Sequence, residues 1–312
     1  MIFITPNPAI DRTLLIPKFF AGEVNRSTGT IIVAGGKGLN AARAACRLGA
    51  QPVCMGFIGG QTGQHFEKLA QNEGFHAIWT PIAGETRTCV IVVDESNGSS
   101  SVINEPGPAI SAVEWENLQK DIFSTLILLP THGTHVCFSG SLPPGTPPEL
   151  FGETLRSLAA AGYAVWVDTS GPALKTAIAS TPAGIKVNAD EMADVLDQPI
   201  RSVADAVAAA REIHQRGVRS VVLTLGKKGG VMVTQTGAWR ATPPTIQAVS
   251  NVGSGDSFFG ALIVALEQGL SPATALAWGV AAGVANAMSA GGASFALETF
   301  QELLEPITLK EI

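Results

Sequence analysis

The chain has 312 residues, 46% hydrophobic and only 15% charged, and 34 of them are glycine, above the usual glycine share of roughly 7%. That size and apolar content support one large domain or two ordinary ones, and exclude both a disordered tail and a small disulfide-stapled scaffold. A net charge of −6 supplies no basic field for nucleic acid or an anionic membrane, so any phosphate that binds must be held in a pocket.

The N-terminal run Met1-Ile2-Phe3-Ile4 reads as a first strand. It lacks a basic segment and meets Pro6 and Asn7 too early for a signal peptide, which predicts a cytoplasmic protein. Short apolar runs then recur at Val53 to Ile58, Val136 to Ser139, Ala164 to Asp168, Ile185 to Asn188 and Ser220 to Leu225. Helical patterns lie between them at Leu39 to Leu48, Pro148 to Ala160 and Val203 to Arg216. Strand and helix in alternation predict an α/β fold, a mostly parallel sheet covered on both faces. Thr88 to Asp94 and Ser101 to Asn104 flank the turn Ser96-Asn97-Gly98 and read as a hairpin, to which Thr28 to Val33 is a candidate partner. Having no helices of their own, these runs predict a small separate sheet. No charge occurs between Glu267 and Glu298, but Pro272, Gly279, Asn286 and Gly291-Gly292 interrupt the stretch and leucine is scarce, so a buried helix is expected rather than a membrane span. Cys46, Cys54, Cys89 and Cys137 show no paired spacing and read as small buried hydrophobes in a reducing compartment.

Two glycine turns open helices. In Asn251-Val252-Gly253-Ser254-Gly255-Asp256-Ser257 the backbone amides can converge on an anion at a helix N-terminus, where the helix dipole also favours negative charge. Asp256 is then either a helix cap or the general base of a phosphoryl transfer. In Ala34-Gly35-Gly36-Lys37-Gly38-Leu39-Asn40 the glycines admit a ligand to the main chain, Lys37 offers a charge and Asn40 an amide for hydroxyls. A plain glycine turn is the alternative, and neither turn carries the Walker or Rossmann spacing. Asp11 is a turn residue or a site carboxylate. Glu191, after Asn188, either arranges magnesium through water or satisfies a helix dipole. Arg26 and Arg87, on the predicted extra strands, are phosphate clamps or solvated charges. His132 and His135 form a His-x-x-His without an evident third ligand.

Taken together, these segments resemble the ribokinase-like family of carbohydrate kinases, in its phosphofructokinase and tagatose-6-phosphate kinase branch. The carriers are Thr5-Pro6-Asn7-Pro8-Ala9-Ile10-Asp11, Gly35 to Asn40, Asn104-Glu105-Pro106-Gly107-Pro108, Ser139-Gly140-Ser141-Leu142-Pro143-Pro144-Gly145, Leu225-Gly226-Lys227-Lys228-Gly229 and Gly253 to Asp256. The resemblance implies a Rossmann-like three-layer core in a single domain over 1–312, with a β lid from about 12–34 and 86–105. It implies ATP and Mg²⁺, a ketohexose phosphate acceptor, and a homodimer formed through the lid. Fructose 1-phosphate leads as acceptor, with tagatose 6-phosphate and fructose 6-phosphate beside it. A kinase of plain sugars or nucleosides and a noncatalytic sensor are the alternatives.

The resemblance also implies roles. Asp256 is the base, and amides from Gly253, Ser254, Gly255 and Asp256 form the anion hole. Asp11, Gly36 and Asn40 hold sugar hydroxyls, with Gly35 and Ser139 beside them at the substrate site. Lys37, Arg26 and Arg87 face the sugar's phosphate or the transferring one. Lys186, Asn188, Thr224, Gly226 and Gly229 lie along ATP, and Glu191 reaches magnesium through water. Three positions depart from the family pattern: Val187 replaces a proline, while Asn251 and Ser254 replace the usual threonine and alanine.

Overall fold

The computed structural model describes residues 1–130, 133–289 and 291–312. Its first third contains β1 (Ile2–Thr5), β2 (Ala9–Ile16), β3 (Gly29–Gly35), α1 (Lys37–Arg47), β4 (Val53–Ile58), α2 (Gly60–Asn72), β5 (His76–Pro81), β6 (Arg87–Asp94) and β7 (Ser99–Asn104). The middle runs α3 (Ala112–Leu126), β8 (His135–Ser139), α4 (Pro148–Ala160), β9 (Ala164–Asp168), α5 (Gly171–Ala179), β10 (Gly184–Asn188), α6 (Ala189–Leu196), α7 (Val203–Gln215) and β11 (Ser220–Thr224). The remainder is β12 (Gly230–Thr234), β13 (Gly237–Thr242), α8 (Ser254–Glu267), α9 (Pro272–Ala287), α10 (Leu297–Leu304) and β14 (Thr308–Glu311).

Alternation along the strands sorts the core into two layers, because successive strand side chains point to opposite faces. Ile2, Ile4, Val136, Phe138, Val165 and Val167 pack on one face against Trp115 of α3, Phe151 of α4 and Ile213 of α7. Phe3, Cys137 and Trp166, from the same strands, pack on the other with Val222 of β11 against Leu39 of α1 and Phe259 and Leu262 of α8. With apolar partners on both sides, the strands read as nearly continuous apolar runs, as buried parallel strands do.

The large sheet has ten strands in the order β14-β13-β12-β11-β10-β9-β8-β1-β4-β5. From β11 to β5 every pairing is parallel, and β12, β13 and β14 are added antiparallel. The chain moves outward from β1 through β4 and β5, and later in the other direction from β8 to β11. That reversal leaves a crevice beyond the carboxyl ends of β1 and β8, where open α/β sheets bind ligands. The fold is therefore the three-layer α/β arrangement expected, with a second sheet as lid.

The lid differs from expectation in two respects. It is a four-stranded sheet ordered β3-β2-β6-β7, so β3 pairs with β2 and never touches the hairpin. The intervening strand is β2, parallel to β6. It begins at Ala9 and so carries Asp11 on the lid itself, in register with Val33 on one side and Cys89 on the other. The uncharged stretch after Glu267 forms α9, buried along most of its length, and no described helix is long and apolar enough to cross a membrane. Cys54, Cys89 and Cys137 are buried as expected, whereas Cys46 is exposed on the outer side of α1.

Candidate active site

The site is built on the N-termini of two packed helices. At α1, Gly36 holds φ 114, a value that side chains avoid. A Cβ at Gly35 would collide with the Asp11 carboxylate, which lies over it. Bareness at Gly35 thus lets Asp11, from the lid, reach the end of α1. Burial pushes the Asp11 carboxyl up to about 6, against the pull of Arg43 and Arg87 and with a small push from Asp256.

At α8 the cap is Gly253, with φ 76 and no side-chain cap hydrogen bond. Asp256 is therefore not the cap; it sits in the first turn, 8% exposed. Its Oδ2 accepts from Asn40 Nδ2 at 2.8 Å, which ties α8 to α1. Burial raises the Asp256 carboxyl, as does the charge of Asp168, while Lys37, Lys186 and the Asn40 hydrogen bond oppose that rise. Among the described residues nothing accepts from the Gly255 and Asp256 amides, whereas the Ser254 amide donates to the Asn251 carbonyl at 3.3 Å. Two converging donors are thus free at this helix end, the arrangement that binds an anion. The Ser254 hydroxyl oxygen accepts from Asn286 Nδ2 at 3.1 Å, so this departure from the family pattern is absorbed by a local partner. A Cβ at Gly253 would come within 2.7 Å of Gly292, which fixes glycine there.

Between the helix ends lies a buried charge cluster. Asp168, fully buried at the end of β9, pairs with Lys186 Nζ at 3.0 Å and Lys37 Nζ at 3.6 Å. Burial opposes its charge, but the two lysines outweigh it and hold the carboxyl below its ordinary range. Lys37 is raised, first by Asp168 and against its own burial, with Glu191 adding to the effect. Lys186, 4% exposed, lies with its Nζ 3.1 Å from where a Gly255 side chain would begin. Two ammonium groups and a helix N-terminus thus converge beside Asp256.

Asn188 and Glu191 form a capping box on α6. Asn188 Oδ1 accepts the Glu191 amide at 2.8 Å, and Glu191 Oε2 accepts the Asn188 amide at 2.9 Å. The dipole reading holds for Glu191, which lies in the first turn of α6, and its Oε1 also faces Lys37 Nζ at 3.5 Å. A cavity of about 330 Å³ adjoins, lined by Asn188, Thr224, Gly226, Arg201 and Lys228 among others. Gly226 and Gly229 turn the chain there with φ 56 and 86; a Cβ on Gly229 would strike the Ala241 carbonyl. No group of three or more His, Cys, Asp or Glu side chains among the described residues is placed to hold a metal. Hard oxygen donors are nonetheless present in Glu191 and in Asp168 Oδ1, which is buried without a hydrogen-bond partner. That set fits Mg²⁺ held mainly by phosphate oxygens and water.

The other expected residues are placed less uniformly. Arg87 is at the start of β6, its Nη1 donating to the Glu105 carbonyl at 2.8 Å and its Nη2 to the Asn7 carbonyl at 2.9 Å. Its Nε is buried and unpartnered. Arg26 lies in the exposed loop between β2 and β3, not on a strand. The Ser139 hydroxyl is fully buried and turned to Asp168 Oδ2 at 3.5 Å. His135 is buried at the start of β8, the end of the strand away from the crevice; His132 lies outside the described residues. Sequence reasoning passed over Asp168, Arg201 and Arg43. Asp168 was signalled by a lone acid closing an apolar strand run; Arg43 by its place one turn beyond Asn40. Arg201 carried no signal.

Residues 6–299 match the pfkB family of carbohydrate kinases. The chain is 32% identical over 280 residues to the 1-phosphofructokinase of Escherichia coli K12, covering 88% of each. It is 28% identical over 315 residues, the full length of both, to the tagatose-6-phosphate kinase of Staphylococcus epidermidis. The crystal structure of Escherichia coli phosphofructokinase-2 in complex with substrates and products superposes with a TM-score of 0.90 at 28% identity, over 98% of each chain. Two glycine turns, a buried carboxylate between two lysines and a match over nearly the whole length lead to one assignment: the chain belongs to the pfkB family of carbohydrate kinases and is a sugar kinase.

Proposed function

We propose that this kinase transfers the terminal phosphoryl group of ATP to a hydroxyl of a ketohexose phosphate, with fructose 1-phosphate the preferred acceptor. The observation that carries the chemistry is Asp256: buried at the N-terminus of α8, hydrogen-bonded by Asn40 and flanked by Lys37 and Lys186. Its carboxylate takes the proton of the attacking hydroxyl, while the free amides of Gly255 and Asp256 meet the charge that develops on the transferring group. Lys37 and Lys186, fixed by Asp168, supply positive charge without moving, so little reorganisation is needed at the moment of transfer.

Asp11 and Asn40 hold sugar hydroxyls, Gly35 and Gly36 let the sugar approach the main chain, and Ser139 acts from behind by bonding Asp168. Arg87, with its unpartnered Nε, and Arg26 on the exposed loop between β2 and β3 meet the sugar's own phosphate. A neutral sugar would leave the buried Nε of Arg87 without a charged acceptor, which is why a phosphorylated acceptor is favoured. The nucleotide lies along Lys186, Asn188, Thr224, Gly226 and Gly229, and Asn188, Thr224 and Gly226 of these line the cavity of about 330 Å³. Mg²⁺, when bound with ATP, would be held by Glu191 through water and would neutralise phosphate charge. The lid is also the surface proposed for a homodimer, since Ile31, Val102 and Ile103 are exposed on it.

The test is ADP release with fructose 1-phosphate, tagatose 6-phosphate, fructose 6-phosphate, fructose and a nucleoside offered in turn. The reading expects the highest kcat/KM with fructose 1-phosphate. A preference for either 6-phosphate would change the acceptor but keep the class; turnover confined to an unphosphorylated acceptor would reject the proposal.

A further inference from the structure

Among the described residues, Asp256 is held by one side-chain hydrogen bond, from Asn40, and that bond depends on which way the Asn40 amide faces. An amide can present either its oxygen or its nitrogen in nearly the same space. Arg43, one turn further along α1, removes the ambiguity. Its Nη1 donates to Asn40 Oδ1 at 2.6 Å, and a guanidinium has donors only. With the oxygen committed to Arg43, Nδ2 must face Asp256. The flipped amide would oppose donor to donor at Arg43 and oxygen to carboxylate at Asp256, losing two charge-assisted hydrogen bonds at once.

Arg43 is itself immobilised. Its Nε and Nη2 donate to the two Glu73 carboxylate oxygens at 2.6 and 2.9 Å, and Nη2 also donates to the Ala34 carbonyl at 2.8 Å. Its guanidinium lies 5.6 Å from the centre of the Phe75 ring, close enough for a cation–π contact. One planar fork therefore joins α2, the backbone entering the Gly35-Gly36 turn, and the amide that holds Asp256. A lysine, a single point charge, cannot span these partners together.

We propose that Arg43 is a positioning residue which, anchored by Glu73, fixes the orientation of the Asn40 amide and thereby aims Asp256. It acts through Asn40 and touches neither substrate. The proposal rests on the kinase reading above and deepens it.

The experiment compares Arg43→Ala and Glu73→Gln with the wild type, using the acceptor that the wild type turns over best. Loss of aim without loss of nucleotide contacts should lower kcat in Arg43→Ala by about 30-fold or more, since displacements of the order of an ångström at a reacting group cost about that or more, with KM for ATP unchanged. Added guanidinium ion should restore part of kcat, because Glu73 is 28% exposed and leaves the vacated fork reachable from solvent. Glu73→Gln should lower kcat about threefold, again at constant KM for ATP, and serves alone if Arg43→Ala does not fold. A kcat within twofold of wild type in Arg43→Ala would overturn the proposal. So would a loss that guanidinium does not relieve and that parallels a loss of folded protein, or, where Arg43→Ala does not fold, an unchanged kcat in Glu73→Gln. A readout independent of turnover is the double-mutant cycle of Arg43→Ala (Glu73→Gln in its place if needed) with Asp256→Asn on the unfolding constant. The relay predicts non-additivity of about threefold or more, as for residues in one hydrogen-bonded network, and additivity would overturn it. A wild type inactive on every sugar phosphate, with a non-additive cycle, would reject the functional reading while the relay stands.

Discussion

Asp11 shows how the site trades stability for readiness. Its carboxyl, raised from 3.8 to about 6 mainly by burial, binds its proton more tightly in the folded than in the unfolded chain. The stability this contributes is present below about pH 4 and is lost as pH rises through about 6. At neutral pH the charged form therefore strains the fold by on the order of 2 kcal/mol, from about 1.4 kcal/mol per tenfold change in proton affinity and a discount for partial exposure. Asp11→Asn should raise the denaturation midpoint at pH 7, show little gain near pH 4, and raise KM for the sugar phosphate. A variant less stable than wild type at pH 7, or a gap independent of pH, would contradict this account. The sequence displayed Asn40 and Asp256 because each sits in a glycine turn that opens a helix, and Asp11 because it follows the Pro6-Asn7-Pro8 turn after the first strand. It marked Asp168 and Arg43 only by position, as an acid closing a strand and a cation one turn beyond Asn40, because the partners that give them a role are remote: Asp168 meets Lys37 and Lys186, while Arg43 meets Glu73. Such pairings depend on strand order and helix packing, which no single segment encodes.

At the scale of elements, the decisive contact is between α1 and α8. Gly260 of α8 lies so close to the Ala41 carbonyl of α1 that a Cβ would collide with it, and would reach 3.0 Å from the Ala44 methyl. That approach brings Asn40 and Asp256 to 2.8 Å. Gly260→Ala should separate the helices, destabilise the protein by about 1–3 kcal/mol as overpacking does, and lower kcat beyond what the lost folded fraction explains. Unchanged thermal stability and kcat would show that the two helix ends are not set by this packing. Most strands were legible because burial on both faces leaves an uninterrupted apolar run; Val53 to Ile58 and Ala164 to Asp168 coincide with β4 and β9. The pairing of β3 was not legible. Its neighbour β2 is half-exposed and mixed in character, and register between separated segments leaves no mark in either one.

Across the whole molecule, the sheet reversal at β1 and β8 places the crevice, and the lid brings Asp11 to it from outside the main core. Such a lid excludes water from the reacting phosphoryl group when it closes. Hydrogen exchange in β2, β3, β6 and β7 should slow when sugar phosphate binds, while the central strands β1, β8 and β9 change little. Equal protection throughout, or none in the lid, would argue against closure. The low overall charge also takes on a meaning at this scale: a −6 protein concentrates Lys37 and Lys186 about one buried carboxylate, so anionic ligands are met by a local field rather than a basic surface. Everything in the account converges on the proton acceptor, and its most direct test is the turnover of Asp256→Asn with ATP and fructose 1-phosphate. The nearly isosteric change should keep folding and nucleotide affinity while lowering kcat by about 100-fold or more, as loss of a general base does; a kcat within a few-fold of wild type would contradict the central claim.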